Sequence, residues 1–157
     1  MPNLASSIGP RPRKEKQVAR SSGTRRARVL VAEDDWAFRD MLVWAFEEDG
    51  YEVVAVGNGT DMLHVIGSSM LPRSGVKEFD IIVSDLRMPA WNGLAGLEGL
   101  GNNPLLPPIV LITAFGSDEV RQRAQQAGVV AVVDKPFDLE DLTALADTLI
   151  AQPDMRR

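Results

Sequence analysis

The chain has 157 residues, 45% of them hydrophobic and 25% charged, which is typical of one soluble globular domain with some additional length. It contains no cysteine, and this excludes a disulfide framework, a thiolate metal site and a cysteine nucleophile. No segment approaches the roughly 18 to 20 consecutive apolar residues of a membrane span, and the first residues lack the apolar core of a secretory signal. We therefore expect a soluble protein of the cytoplasm.

The net charge of −5 is unevenly distributed along the chain. Residues 1–28 contain eight Lys or Arg and one acid, together with several proline, serine and glycine residues and no apolar periodicity. This composition predicts a disordered basic arm over residues 1–27, a folded domain over residues 28–152 and a short tail over residues 153–157. The arm is interpreted as a solvated tail, or as a segment with weak affinity for nucleic acid or for the acidic domain itself. An organellar transit peptide, which is also Arg-rich and acid-poor, is the least favoured interpretation.

From residue 29 onward, strand-like and helix-like patterns alternate five times. Short apolar runs predict strands at residues 29–32, 53–56, 81–83, 109–112 and 129–133. Phe38, Met41, Leu42 and Ala45 repeat at the spacing of one helix face, and Gly50 is placed to end that helix. Further helices are predicted over residues 58–69, within 93–100, after 117 and after 138.

The last two helices have clear end signals. Ser117 and Asp138 are suited to cap their first turns, and Gly128 is placed to end the fourth helix. The third helix contains several glycines, each costing about 1 kcal/mol relative to alanine, so we expect it to be short. The whole order, βαβαβαβαβα, predicts an α/β fold with a parallel sheet, helices on both sides and right-handed crossovers.

Polar residues stand at or just beyond the ends of four of the predicted strands. These residues are Glu33, Asp34 and Asp35 after the first strand, Asp85 after the third, Thr113 after the fourth and Lys135 after the fifth. The carboxyl ends of parallel strands lie at one edge of the sheet, where α/β proteins bind ligands. Gathered carboxylates repel one another unless a cation joins them, and a set of oxygen ligands alone suits Mg²⁺ or Mn²⁺ rather than zinc.

This set of groups is suited to holding a phosphoryl group. A hard divalent cation, a hydroxyl and an ammonium can together stabilise the charge on phosphoryl oxygens. Asp85 is central among the strand ends, so we predict that it is the acceptor and forms an acyl phosphate.

Residues 29–150 resemble the receiver domain of two-component response regulators. The motifs that carry this resemblance are VLVAEDD at 29–35, SDLRMP at 84–89 followed by Asn92-Gly93, LITA at 111–114 and DKPF at 134–137. The resemblance implies a flavodoxin-like (βα)5 doubly wound sheet with strand order 2-1-3-4-5. It also implies Mg²⁺-dependent phosphorylation of Asp85 by a sensor histidine kinase or a phosphotransfer protein, and a downstream protein target that the sequence does not name.

The resemblance further assigns roles to individual residues. It implies that Asp34 and Asp85 hold the metal directly, Glu33 through water and Arg87 through its backbone carbonyl, with Thr113 as the switch hydroxyl and Lys135 as the phosphate-binding group. Asp35 is then expected to cap the first helix, and the bond between Lys135 and Pro136 to be cis.

One position departs from the family pattern. Three residues before the lysine, where family members often carry Tyr or Phe, this chain has Val132, whose branched side chain has little reach. A signal is therefore expected to pass through the loop after Thr113 and the helix near Ser117, or to be transmitted weakly. Arg87 and Phe115, two residues beyond the acceptor and the threonine, are both bulky, which predicts a slowly hydrolysed acyl phosphate.

These residues fit three classes of function to different degrees. An aspartyl-phosphate hydrolase would need a second Asp two residues after the nucleophile, where Arg87 stands, so we expect a signalling domain rather than an enzyme. A receiver-like interaction module that is not phosphorylated, or a fragment of a larger regulator, is the alternative. The few residues after Ile150 predict a stand-alone regulator without an output domain, and dimerisation is left open.

The remaining conspicuous side chains are given structural interpretations. Trp36, Trp44 and Trp91 are interpreted as core or partly exposed packing residues, and His64 as an ordinary helix residue.

Overall fold

The computed structural model describes residues 25–71, 78–89, 91–100 and 103–152. Nearly all of the predicted basic arm, and the predicted tail, lie outside these residues. The strands are β1 (Arg28–Ala32), β2 (Glu52–Val56), β3 (Ile81–Asp85), β4 (Ile109–Thr113) and β5 (Ala131–Asp134). The helices are α1 (Trp36–Glu48), α2 (Gly59–Ser69), α3 (Gly93–Leu100), α4 (Asp118–Gln126) and α5 (Leu139–Ala151).

The five strands form one parallel sheet in the order β2-β1-β3-β4-β5. The alternating βα pattern and the predicted strand order are therefore confirmed. The register places Asp85 beside Ile112 and Thr113 beside Asp134, so the polar ends of β3, β4 and β5 lie side by side. A small antiparallel ribbon of Arg87–Met88 and Trp91–Asn92, which the sequence analysis did not predict, follows β3.

Alternate residues of the central strands serve two separate cores, as the period of a β-strand requires. On one face Leu30, Ile82 and Leu111 pack with side chains of α2, α3 and α4. On the other face Val31 and Val83 pack with side chains of α1 and α5. Burial on both faces explains why the central strands read as continuous apolar runs.

The predicted helix ends are confirmed. The side chains of Asp35, Ser117 and Asp138 accept hydrogen bonds from backbone N–H groups in the first turns of α1, α4 and α5. Gly50 and Gly128 have positive φ angles of 89° and 85°, the left-handed conformation that glycine adopts most readily where a helix ends. Within the described residues, no helix is long and apolar enough to cross a membrane.

Two expectations need correction. The fifth strand begins at Ala131 rather than at residue 129, because the Val129 N–H donates to the Ala124 carbonyl and so belongs to the end of α4. Packing of the tryptophans was predicted correctly only for Trp91. Trp36 and Trp44 are 71% and 61% exposed, since α1 is rotated to bury the opposite stripe of Leu42, Ala45 and Phe46.

Candidate functional site

The predicted site residues converge at the carboxyl edge of the sheet. Each follows or ends a strand of the parallel set: Glu33 and Asp34 follow β1, Asp85 ends β3, Thr113 ends β4 and Lys135 follows β5. Their side chains therefore come from segments about a hundred positions apart in the sequence. The convergence expected from a parallel sheet is thus observed.

Three carboxylates form a compact cluster at this edge. Glu33, Asp34 and Asp85 each offer one oxygen, and these oxygens lie within 4.8 Å of one another. Glu33 and Asp85 are buried, whereas Asp34 is exposed. Two buried acids beside an exposed third one, with oxygen as the only ligand atom, fit a hard divalent cation such as Mg²⁺ that retains some of its water.

Asp85 is held by different donors on its two oxygens. The backbone N–H of Arg87 donates to Oδ1 at 3.2 Å, and the Lys135 ammonium donates to Oδ2 at 3.2 Å. The residue is only 8% exposed, so its carboxylate has a fixed orientation towards the edge of the sheet.

The ammonium of Lys135 connects the two buried carboxylates. Its Nζ lies 3.2 Å from Glu33 Oε2 and 3.2 Å from Asp85 Oδ2. It also lies 4.6 Å from the centroid of the Phe38 ring. Burial lowers the pKa of Lys135, but the carboxylates of Asp85 and Glu33 together outweigh burial and raise it, so this side chain stays charged.

The pKa of Glu33 lies well above the usual range of a carboxyl group. Burial and the neighbouring charge of Asp85 raise the pKa of Glu33 to about 7, against the opposing effects of the Asp35 backbone N–H and Lys135. Its Oε1 accepts a hydrogen bond from that N–H at 3.2 Å. A second positive charge in the cluster would lower this pKa, which is the electrostatic condition for binding a cation.

Thr113 lies beside the acid cluster but faces the following loop in this state. It is 1% exposed, and its Oγ1 accepts a hydrogen bond from the Phe115 N–H at 3.0 Å. Its carbonyl accepts from the Lys135 N–H at 2.7 Å. The hydroxyl and the lysine are therefore connected through the backbones of adjacent strand ends.

The two bulky residues predicted at the rim contact each other. The guanidinium carbon of Arg87 lies 4.7 Å from the centroid of the Phe115 ring, and both side chains are exposed. The pair joins the loop after β3 to the loop after β4.

At Val132, where the chain departs from the family pattern, the structure shows a contact that was not predicted from the sequence. Arg121 of α4 donates to the Val132 carbonyl at 3.1 Å and forms an ion pair with Asp134. Phe38 was likewise assigned only to the core face of α1. Its position in the first turn of α1, directly after the acidic residues that follow β1, was the signal that its side chain lies near the carboxyl edge of the sheet.

The remaining implied features can also be placed. The peptide bond between Lys135 and Pro136 is cis, as the resemblance implied. His64 is exposed on α2, in agreement with its interpretation as an ordinary helix residue.

Comparisons with known proteins agree with this geometry. Residues 29–147 match the response regulator receiver domain model. The regulatory protein AtoC of Escherichia coli is 28% identical over 130 residues, covering 83% of this chain and 26% of AtoC. The transcriptional regulatory protein PdtaR of Mycobacterium tuberculosis is 29% identical over 126 residues, covering 80% of this chain and 57% of PdtaR. The chain thus spans between about a quarter and just over half the length of these relatives.

A solved structure extends the likeness to three dimensions. The receiver domain of the Francisella response regulator 1452 matches with a TM-score of 0.70 at 25% identity, covering 80% of this chain and 98% of that one. The family match covers the segment that carries both the parallel sheet and the acid cluster. The chain therefore belongs to the response regulator receiver domain family.

Proposed function

We propose that this chain is a phosphorylatable signalling domain that accepts a phosphoryl group on Asp85 from a phosphohistidine of a histidine kinase or phosphotransfer protein. The observation that carries the proposal is the arrangement of Lys135, which donates at 3.2 Å to Asp85 and at 3.2 Å to Glu33, within a three-carboxylate cluster. An ammonium and a cation site flanking one fixed carboxylate are suited to phosphoryl transfer.

The chain's own residues account for the transfer step. A carboxylate oxygen of Asp85 attacks phosphorus and the phosphorus–nitrogen bond of the donor breaks. The donor ring is protonated on its other nitrogen, so it keeps the bonding electron pair and leaves as neutral imidazole. Lys135 exchanges its hydrogen bond to Asp85 for one to a phosphoryl oxygen. Glu33 and Asp34, with Asp85 and the Arg87 carbonyl, would hold Mg²⁺ or Mn²⁺, which when bound offsets negative charge on the phosphoryl oxygens.

Modification of Asp85 changes the surface through Thr113. The Thr113 hydroxyl can donate to a phosphoryl oxygen, and the rotation that this requires disturbs its 3.0 Å contact with the Phe115 N–H. Phe115 lies in the short loop that leads into α4, so the start of α4 moves with it. Because Val132 has no aromatic ring to swing inward, we assign signal output to this loop and to α4, where a downstream protein would bind.

The domain acts as a timed switch rather than as a turnover enzyme. Hydrolysis of the acyl phosphate restores the carboxylate of Asp85 and releases inorganic phosphate, which resets the domain. We infer that the downstream step is carried out by a partner or by a further domain, because the match covers only 26% of AtoC and 57% of PdtaR.

The test is phosphorylation of the pure protein with acetyl phosphate, followed by Phos-tag electrophoresis with and without Mg²⁺. We expect a retarded band that requires Mg²⁺ and disappears in Asp85→Asn. Asp141→Asn is the matched control, because Asp141 is an exposed acid in the first turn of α5. A folded wild-type protein that neither acetyl phosphate nor a panel of phosphorylated histidine kinases modifies would favour an interaction module that is not phosphorylated.

A further inference from the structure

The aromatic ring of Phe38 is part of the environment of Lys135. The lysine Nζ lies 4.6 Å from the centroid of that ring, within the range of an attractive cation–π contact. The same atom donates to Glu33 and Asp85, each at 3.2 Å. The ammonium is thus bounded by two carboxylates and one aromatic face.

The Phe38 ring is itself held on two sides. Phe38 lies in the first turn of α1, where its backbone N–H donates to the capping carboxylate of Asp35 at 2.9 Å. Its ring contacts the Phe137 ring edge to face, with centroids 5.8 Å apart and an interplanar angle of 66°. Because Phe137 lies two residues after Lys135, this aromatic pair connects the start of α1 to the loop that carries the lysine.

The three contacts of the ammonium differ in what happens to them during the proposed reaction. A cation shared by Glu33 and Asp85 weakens both ion pairs, and phosphorylation removes one carboxylate oxygen of Asp85 from contact with the lysine. The quadrupole of the Phe38 ring is unaffected by either event. It is therefore the contact that persists while the ammonium passes from a carboxylate to a phosphoryl group.

We propose that Phe38 is a positioning residue that holds the Lys135 ammonium over its ring so that it is in place for the incoming phosphoryl group. This proposal rests on the proposed phosphorylation of Asp85. A side chain of similar volume without a π face fills the space beside the lysine but does not attract its charge.

The experiment compares Phe38→Leu, Phe38→Tyr and Phe38→Trp with the wild type. Trp44→Leu is the matched control, because it removes an aromatic ring from the same helix at a position 61% exposed to solvent. The first measurement uses metal-free protein and records the NMR signals of the lysine Cε methylene groups, with the Lys135 signal assigned by its loss in Lys135→Met. The second measures the phosphorylation rate at saturating acetyl phosphate, with Mg²⁺ affinity measured separately.

The expected results separate positioning from a structural role. In the wild type, ring current should shift the Lys135 signal upfield, and Phe38→Leu should abolish this shift and slow phosphorylation about threefold to tenfold. Phe38→Tyr and Phe38→Trp should restore both, and Trp44→Leu should change neither. Mg²⁺ affinity should be unchanged in Phe38→Leu, whereas a distorted α1 would disturb the neighbouring acids and weaken Mg²⁺ binding.

Two outcomes would overturn the inference. If Phe38→Leu is phosphorylated at the wild-type rate, or if the aromatic variants do not restore the rate, Phe38 does not position the lysine, and the function of Asp85 stands. If the wild type is not phosphorylated by any donor, the proposed function and this inference both fail, and the NMR signal then reports only a packing contact.

Discussion

Arg87 stacks its guanidinium on the ring of Phe115, with 4.7 Å between the guanidinium carbon and the ring centroid. The two residues stand two positions beyond Asp85 and two positions beyond Thr113, on loops that adjoin the proposed acceptor. Although each side chain is exposed, the contact joins them into one cover at the edge of the sheet. Such a cover restricts the approach of water to a modified Asp85.

We therefore predict that the acyl phosphate of the wild type hydrolyses slowly. Phe115→Ala and Arg87→Ala should each accelerate hydrolysis about threefold to tenfold, because each opens the same path for water. The two residues act through one contact, so their effects should not add. The acyl phosphate of the double variant should hydrolyse no faster than that of the faster single variant. The measurement is the decay of the phosphorylated band after the donor is removed, and a wild-type half-life of only seconds would contradict the prediction.

Binding of Mg²⁺ should depend on pH through Glu33. Its pKa is raised to about 7 by burial and by Asp85, so the acid is largely protonated at pH 6 and largely ionised at pH 8. If the cation requires the ionised form, the dissociation constant should rise about tenfold from pH 8 to pH 6. Calorimetric titration with MgCl₂ measures it, and Glu33→Gln, which cannot ionise, should bind weakly at both pH values.

The same carboxyl should make the metal-free protein less stable as pH rises. Because the folded-state pKa lies above the ordinary value of 4.5, the folded protein holds a proton that the unfolded chain releases between about pH 4.5 and 7. Its contribution favours folding below this window and is lost as pH rises through it. Urea unfolding in EDTA should show the free energy of unfolding of the wild type falling relative to Glu33→Gln from pH 5 to pH 8. Parallel pH profiles for the two proteins would contradict the raised pKa.

The strands and the acid cluster could be predicted because local sequence determines them. Apolar runs that stop at Asp85, Thr113 and Lys135 define strand ends, and parallel pairing alone brings those ends together. The exposure of Trp36 and Trp44 could not be predicted, because it depends on how α1 is rotated against the sheet. The apolar period of α1 placed Leu42 and Ala45 on the buried face correctly, but it also included Met41, which is 51% exposed, because periodicity defines the rotation of a helix only approximately.

Contacts between distant elements were missed for a related reason. The ion pair of Arg121 with Asp134 depends on the placement of α4 beside β5, and neither residue signals the other in the sequence. Phe38 fits the apolar period of α1 and is partly buried against the core on that side of the sheet. Packing alone therefore explains its place in the sequence pattern, which gives no separate sign of its contact with Lys135. When a residue has two roles, the sequence pattern indicates only the more common one, which here is packing in the core.

Arg121 should hold α4 in place without adding much stability. Its ion pair with Asp134 is exposed, and exposed pairs contribute about 1 kcal/mol or less. In Arg121→Met, the free energy of unfolding should therefore fall by less than about 1 kcal/mol, while amide hydrogen exchange in Asp118–Gln126 becomes faster. Arg123→Met is the matched control, because Arg123 pairs with Glu98 of α3 instead of with β5. Equal amide exchange rates in the wild type and in Arg121→Met would show that the local stability of α4 does not depend on the ion pair between Arg121 and Asp134.

Two glycines of α3 should respond in opposite directions to the same substitution. A Cβ at Gly96 would lie 2.1 Å from the ring of Trp91, whereas a Cβ at Gly99 would meet nothing within 4 Å. Trp91 is 9% exposed and packs in the core formed with α2 and α3, so its ring has little room to retreat.

Gly96→Ala should therefore lower the free energy of unfolding by about 1 to 3 kcal/mol, the usual cost of overpacking a core. Gly99→Ala should raise it by about 1 kcal/mol, because alanine favours the helix and nothing opposes its methyl group. Urea unfolding followed by tryptophan fluorescence measures both changes. Because both variants gain the same helix propensity, the difference between them isolates the contact with Trp91, and equal stabilisation of the two would mean that the indole moves aside at no cost.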